Sequence, residues 1–268
     1  MLNYAICASE GAALHEPVLF RGSYTDAFAY AGGLGYKGLE IHLRDAAAAD
    51  AGALAQASAA TGVRVAAVAT GLAKRVDGLS LIDDDKAGRR AAVQRLKGHL
   101  DLAARFGCTV IIGSMRANVP SPARREECYA VLADSIKYLA DYIADKNCSI
   151  VFEAINRYEN NYLNNAAETA DFIDRIGSDK VLMLLDTFHM NIEERDMCAP
   201  LRDYAKYLGH IHFADNTRWY PGHGQIDFGA IARTLEEVGY DKWVSMEYLP
   251  LPDEETAGRK GMEFLRGL

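Results

Sequence analysis

Four side chains in the second half of this 268-residue chain have the types and spacing to act together. They are Glu153, Asp186, His212 and Glu247, separated by 33, 26 and 35 residues. Each stands at the end of a short apolar stretch: SIVFE, VLMLLD, GHIH and WVSME. An apolar run of four to eight residues bounded by polar groups suits a strand buried on both faces. One βα unit of an eight-stranded barrel takes about 30 residues, so the spacing places one of these groups at the C-terminal end of each of four successive strands. Neighbouring strands of a closed barrel bring such ends to a common point. Two glutamates, an aspartate and an imidazole make a hard, oxygen-rich set that suits Mn²⁺ first, with Mg²⁺, Co²⁺ or Zn²⁺ as alternatives. Without a cation, three carboxylates in one buried place would repel and take up protons. Taken singly, each acid has a plainer reading, an ion pair with a local Arg or Lys, and Asp186 could simply cap the turn after its strand. Recurrence in phase favours the joint reading.

The elements that must position these groups are legible as a β-then-α rhythm along almost the whole chain. Strands are predicted at 4–8, 35–43, 63–69, 108–115, 150–155, 181–185, 209–216 and 242–250. Helices are predicted at 24–33, 46–61, about 84–106, 123–146, 166–176, 228–238 and 253–268, with a short helical region before residue 208. Several of the helical stretches stop at glycine, the usual residue just past a helix end. The segment 70–85 reads as a long loop that could lie over an active site. Eight such units without a Pro/Ser-rich linker or a low-complexity segment predict an α/β fold, a (β/α)8 TIM barrel, as one domain over residues 1–268. An open doubly wound sheet would carry a Gly-rich phosphate loop after its first strand, and CASEGAAL matches one poorly.

Composition narrows the function classes. Half the residues are apolar and the formal charge is −8, so no general attraction to nucleic acid or to anionic membranes is expected. Five scattered cysteines with no CxxC spacing read as reduced residues of a cytoplasmic protein. The N-terminal stretch lacks a basic region and reads as a first strand, with no signal peptide expected. No apolar run reaches the roughly 20 residues of a membrane-spanning helix.

VFEAINRYENNYLN, LLDTFHMNIEE, GHIHFADNTRWYPGHGQIDF and VSMEYLP together resemble the signatures of the ketose 3-epimerases, in particular the D-tagatose/D-psicose 3-epimerases, within the xylose-isomerase-like barrel superfamily. These motifs cover residues 151–250 densely, whereas the first 150 residues match only in rhythm. The resemblance implies one divalent metal ion held by Glu153, Asp186, His212 and Glu247, with Glu153 and Glu247 also carrying protons. It implies that Glu159, His189 and Arg218 contact substrate oxygens. The loop RWYPGHGQ departs from the sugar epimerases and points to an altered or acidic substrate.

The chemistry such a set performs is proton transfer beside a ketone. A metal chelating the carbonyl and the neighbouring hydroxyl stabilises the enediolate, and two carboxylates on opposite faces invert the carbon between them. The expected activity is therefore C3 epimerisation of a small unphosphorylated ketose or keto-sugar acid. A hydroxypyruvate-type or aldose–ketose isomerase is the alternative by the same chemistry. An abasic-site endonuclease or a non-catalytic sugar binder is more remote, the first for want of extra histidines and a basic groove. His189 could instead brace the ligands, Arg218 form a surface salt bridge, and Glu159 pair with Arg157. His210 is expected inside the barrel below the metal, two residues from His212 and on the same side. Glu40 and His42 read first as hydrogen-bonded interior residues. Trp219, Tyr220 and His223 could roof the pocket or lie exposed. The partner expected is a small sugar, with no nucleic acid or membrane; alanine-rich helical faces would permit a dimer or tetramer.

Overall fold

The structure is a computed structural model that describes residues 2–268. In chain order its elements are β1 (Asn3–Ala8), α1 (Tyr24–Leu34), β2 (Gly38–His42), α2 (Ala51–Thr61), β3 (Arg64–Ala69), α3 (Gly71–Asp77), α4 (Lys86–Phe106), β4 (Thr109–Ile112) and α5 (Arg125–Tyr142). Then follow β5 (Ser149–Glu153), α6 (Ala166–Ile176), β6 (Val181–Asp186), α7 (Thr187–Glu193), α8 (Ala199–Asp203), β7 (Leu208–Phe213), α9 (Phe228–Glu237), β8 (Trp243–Met246) and α10 (Glu254–Leu265). The eight strands pair in parallel in chain order and β8 closes onto β1. This is the barrel that the alternation of elements predicts.

Period-two alternation divides each strand between two environments. On β2, Leu39 and Ile41 join the large core between barrel and helices, while Glu40 is buried among polar groups of the interior. The interior is itself divided. Ala67, Ala69, Ile111, Val151 and Leu184 form an apolar cluster on β3 to β6. The side formed by β7, β8 and β2 is polar, carrying His210, His212, Ser245 and Glu40, all buried. Buried polar groups persist only when they are hydrogen-bonded, so this half of the barrel is organised by its bonds and not by packing alone.

Two stretches differ from the sequence reading. Residues 46–61 are not one helix: a 3-10 turn at Ala46–Ala48 precedes α2, and Asp50 caps the helix by accepting from the amides of Gly52 and Ala53. An Asp at that position satisfies two otherwise orphaned amides, which outweighs continuous alanine propensity. The segment 70–85 is not all loop either. It holds α3, which buries Leu72 and Ala73 and ends at Gly78 in the left-handed region, φ +70°. The other elements begin and end within a few residues of expectation. All five cysteines are free and four are buried, and among the described residues no helix is long and apolar enough to cross a membrane.

Candidate active site

The four strand-end residues do converge. One ligand atom from each of Glu153, Asp186, His212 and Glu247 lies within 4.8 Å of all the others. Glu153 and Asp186 are the last residues of β5 and β6, His212 lies one before the end of β7, and Glu247 one past the end of β8. Their register is staggered. Asp186 pairs with His212, but Glu153 pairs with Leu184 and His212 with Ser245, each two residues short of the next group. Tilted barrel strands need that stagger for side chains to meet at one height.

Asp186 caps the turn after its strand and also faces the cluster. Its Oδ1 accepts from the Phe188 amide at 2.8 Å and caps α7, while Oδ2 faces the cluster. Glu153 has room because residue 113 is glycine: a Cβ there would stand 2.3 Å from Glu153 Oε2. The Glu153 carbonyl is held from behind by Nη1 of Arg116, a fully buried arginine that also donates to Asn160 Oδ1 and the Leu163 carbonyl.

His212 is fixed by a residue that the sequence reading took for an ordinary interior group. Glu40 Oε2 lies 3.1 Å from His212 Nε2 and 2.9 Å from His210 Nε2, and Oε1 lies 2.9 Å from His42 Nε2. An ionised carboxylate only accepts, so each imidazole must present Nε2–H to it. Burial would raise the Glu40 pKa, but the nearby His212 charge and the bonds from His210, His212 and His42 hold it well below the usual carboxylate range. His212 Nδ1 is buried with no hydrogen-bond partner among the described residues, 3.3 Å from Glu247 Oε2 and 3.9 Å from Asp186 Oδ2. An imidazole oriented by a carboxylate through one nitrogen, with the other bare beside two carboxylates, is the arrangement of a metal-ligating histidine. This donor set fits a divalent cation.

The charges around it agree. Arg218 donates from Nη1 to Asp186 Oδ2 at 2.5 Å and from Nη2 to Glu247 Oε2, so the pair already draws a cation. Complete burial raises the Asp186 pKa, whereas for Glu247 burial is outweighed by His212 and Arg218, which hold it at about 2. Arg218 reaches inward from a backbone at φ +61°, a conformation that L-residues adopt only when held. The holding comes from Asp215, whose buried carboxylate accepts from the amides of Asn216, Gly222, Gly224 and Ile226, and from the Arg218 carbonyl, which accepts from the Leu249 amide.

The remaining candidates surround a cavity of about 230 Å³ above the cluster, whose lining includes Glu153, Glu159, His189, His212, Arg218 and Glu247. His189 is buried, with Nδ1 2.7 Å from Asn156 Nδ2 and Nε2 3.5 Å from Glu153 Oε1. Because the Asn156 amide donates, a neutral His189 carries its proton on Nε2, the atom near Glu153. Glu159 accepts from the same Asn156 amide at 2.9 Å and is largely exposed; Arg157 pairs with Glu193 and not with Glu159. His210 lies beneath, bonded to Glu40 and Ser245. Trp219 stacks on His223 at 4.1 Å, and neither is among the residues that line the cavity. Gly113, Asn156, Asp215 and the hub role of Glu40 are not singled out by the sequence. Only Glu40 left a signal there, since its alternation with His42 sets both on the inner face.

Residues 28–268 match the xylose isomerase-like TIM barrel family. The chain belongs to that family. Within it, the chain is 33% identical to an L-ribulose 3-epimerase of Mesorhizobium japonicum over 80% of this chain and 71% of the relative. It is 31% identical to a D-psicose 3-epimerase of Agrobacterium fabrum over 69% of this chain and 64% of that relative's length. The solved structure of an L-ribulose 3-epimerase superposes with a TM-score of 0.84 at 27% identity, covering 99% of this chain and 94% of the other. Membership of the xylose isomerase-like barrels agrees with the closed parallel sheet and with the placement of the cluster at the C-terminal strand ends.

Proposed function

We propose that the protein is a metal-dependent epimerase that inverts C3 of a small, uncharged ketose. One observation carries this reading: Glu153, Asp186, His212 and Glu247 meet at the floor of a cavity that both glutamates line. The relatives named above, which act on ketoses at C3, support it. The reading takes Glu153, Asp186, His212 and Glu247 as ligands of one divalent ion, Mn²⁺ before Mg²⁺, Co²⁺ or Zn²⁺ given the oxygen-rich set. When bound, such an ion stabilises the negative charge that develops on oxygen as the carbon beside a ketone loses its proton.

The chain's own residues do the rest. Glu153 and Glu247 enter from β5 and β8, three strands apart, so a sugar between them presents one face of its reacting carbon to each carboxylate. One removes the proton and the other returns one to the opposite face, which inverts the centre. The carboxylate oxygen used is the one not committed to the ion. His189, with its proton on Nε2, donates to a substrate oxygen; Arg218 orients a second; Glu159 accepts a hydroxyl at the mouth. Among the described residues, Arg218 is the sole Lys or Arg lining the cavity, and Glu16 and Glu159 line it as well. A carboxylate or phosphate on the substrate would face that acidic lining, so an uncharged ketose is favoured over a keto-sugar acid.

The test is incubation of the metal-loaded enzyme with a panel of ketoses in D₂O, read by NMR. Deuterium at C3 in both epimers is the expected result. Label at C1 alone would make the protein an aldose–ketose or hydroxypyruvate-type isomerase, and no exchange into any ketose would overturn the proposal.

A further inference from the structure

We propose that His42 is a substrate-binding residue whose Nδ1 hydrogen-bonds a hydroxyl at the end of the sugar remote from the reacting carbons. The inference rests on the ketose reading and adds a contact to it. His42 ends β2 and lines the cavity with Ser9, Thr70 and Glu247. Its Nε2 is taken by Glu40 Oε1 at 2.9 Å, so Nδ1 is the ring nitrogen left to meet a sugar hydroxyl, which can donate or accept. Among the described residues that atom has no hydrogen-bond partner, yet it is not one of the buried, sealed polar atoms. With the side chain 14% exposed and set in the cavity wall, the cavity is where Nδ1 finds a partner.

The position is rigid. The Tyr24 hydroxyl donates to the His42 carbonyl at 2.7 Å and the Ser9 hydroxyl at 3.2 Å. In the closed strand order β2 stands four strands from β6, so His42 reaches the cavity from the side opposite Asp186 and His189. Its polar neighbours there are already engaged: the Ser9 hydrogen goes to the His42 carbonyl and the Thr70 hydroxyl donates to the Ile111 carbonyl at 2.7 Å. A sugar hydroxyl entering this side therefore finds His42 Nδ1 as a ring nitrogen fixed in place and uncommitted, beside hydroxyl oxygens whose hydrogens are already used. Glu40 thus sets two imidazoles with one carboxylate, turning His212 toward the metal ligands and His42 toward the sugar.

The test compares wild type with H42Q and H42N, metal-loaded, on the ketose turned over best and on its analogues lacking one hydroxyl in turn. A Gln at 42 can still donate to Glu40 but has nothing in the place of Nδ1; an Asn offers an amide group there, able to donate or accept. In H42Q, KM for the parent sugar should rise about tenfold with kcat changed much less, as for a neutral hydrogen bond left unmade. Wild type should lose a similar factor on one deoxy analogue, H42Q should lose nothing further on it, and H42N should recover part of the discrimination. Metal content should stay at one ion per chain. If H42Q keeps the wild-type KM, or still discriminates against every analogue as wild type does, the inference is overturned. If wild type turns over no ketose, the epimerase proposal is what has failed. Calorimetric binding of the same sugars then decides the His42 contact by itself, with equal affinity in wild type and H42Q overturning it.

Discussion

Replacing Glu40 by glutamine removes a charge without changing shape, and the geometry fixes what must follow. Three Nε2–H groups point at this carboxylate, from His42, His210 and His212, at 2.9, 2.9 and 3.1 Å. A glutamine amide presents an oxygen on one side and an NH₂ on the other. With the NH₂ toward His210 and His212, both rings meet a donor, and His212 can relieve it by moving its proton to Nδ1, where it can no longer bind a cation. With the NH₂ toward His42, the neutral oxygen still serves His210 and His212 but polarises them less. Loss of such a supporting partner behind a ligating histidine typically weakens metal binding 10- to 100-fold, or about 1.4–2.7 kcal/mol. Chelator competition against Mn²⁺, at fixed pH and with folding checked by circular dichroism, should show this drop in E40Q. A folded E40Q whose Mn²⁺ affinity stays within twofold of wild type would refute the reasoning, because His212 would then be oriented by something else.

Other consequences follow from the same geometry. In G113A the new methyl must displace Glu153 Oε2, 2.3 Å away, and a shift near 1 Å at a reacting group costs about 100-fold, so kcat should fall by that order while thermal stability changes little. For His212, burial is outweighed by Glu40 and Glu247, which hold its pKa well above the usual value, so metal binding must displace a proton. Apparent metal affinity should then rise by up to about tenfold per pH unit across the neutral range, with proton release seen by calorimetry in two buffers; a flat profile would contradict it. In the metal-free protein the raised His212 pKa stabilises the fold fully below the unfolded value, and that contribution is lost as pH rises through the folded one. The Glu247 carboxyl, held at about 2, works in the opposite sense: its share is present above about 4.5 and lost as pH falls toward 2. EDTA-treated protein should therefore melt lower at both extremes than near neutrality. Asp215→Ala removes the acceptor of four backbone amides, so amide exchange across residues 216–226 should accelerate and KM should rise as Arg218 loses its hold.

The barrel and the four converging strand-end residues were legible because they depend on regularities of the chain: buried strands are short apolar runs, and a βα unit has a nearly fixed length. Asp186 and Glu247 needed only that spacing. Helix α3 was missed because its seven residues bury two side chains, too few for a period, and the break at Asp50 because its capping bonds leave no trace in an alanine-rich run. Gly113 and Asp215 act through space, on a carboxylate 40 residues away and on the amides of a folded loop, and neither carries its partner's address in its own surroundings. Glu40 lies between these cases. Alternation puts it inside the barrel beside His42 of its own strand, but His210 and His212 come from β7, and only closure of the sheet through β8 and β1 brings them to it.

The proposed proton transfer depends on which atoms hold the cation. Two further groups among the described residues could compete for one, Cys7 with Glu40 and His42, and Glu40 with His210 and His212. Anomalous diffraction at the manganese edge from Mn²⁺-soaked crystals separates the three directly. One peak within coordination distance of Glu153, Asp186, His212 Nδ1 and Glu247 is the predicted outcome; a peak at either of the Glu40 groups, or none in the barrel, would contradict it.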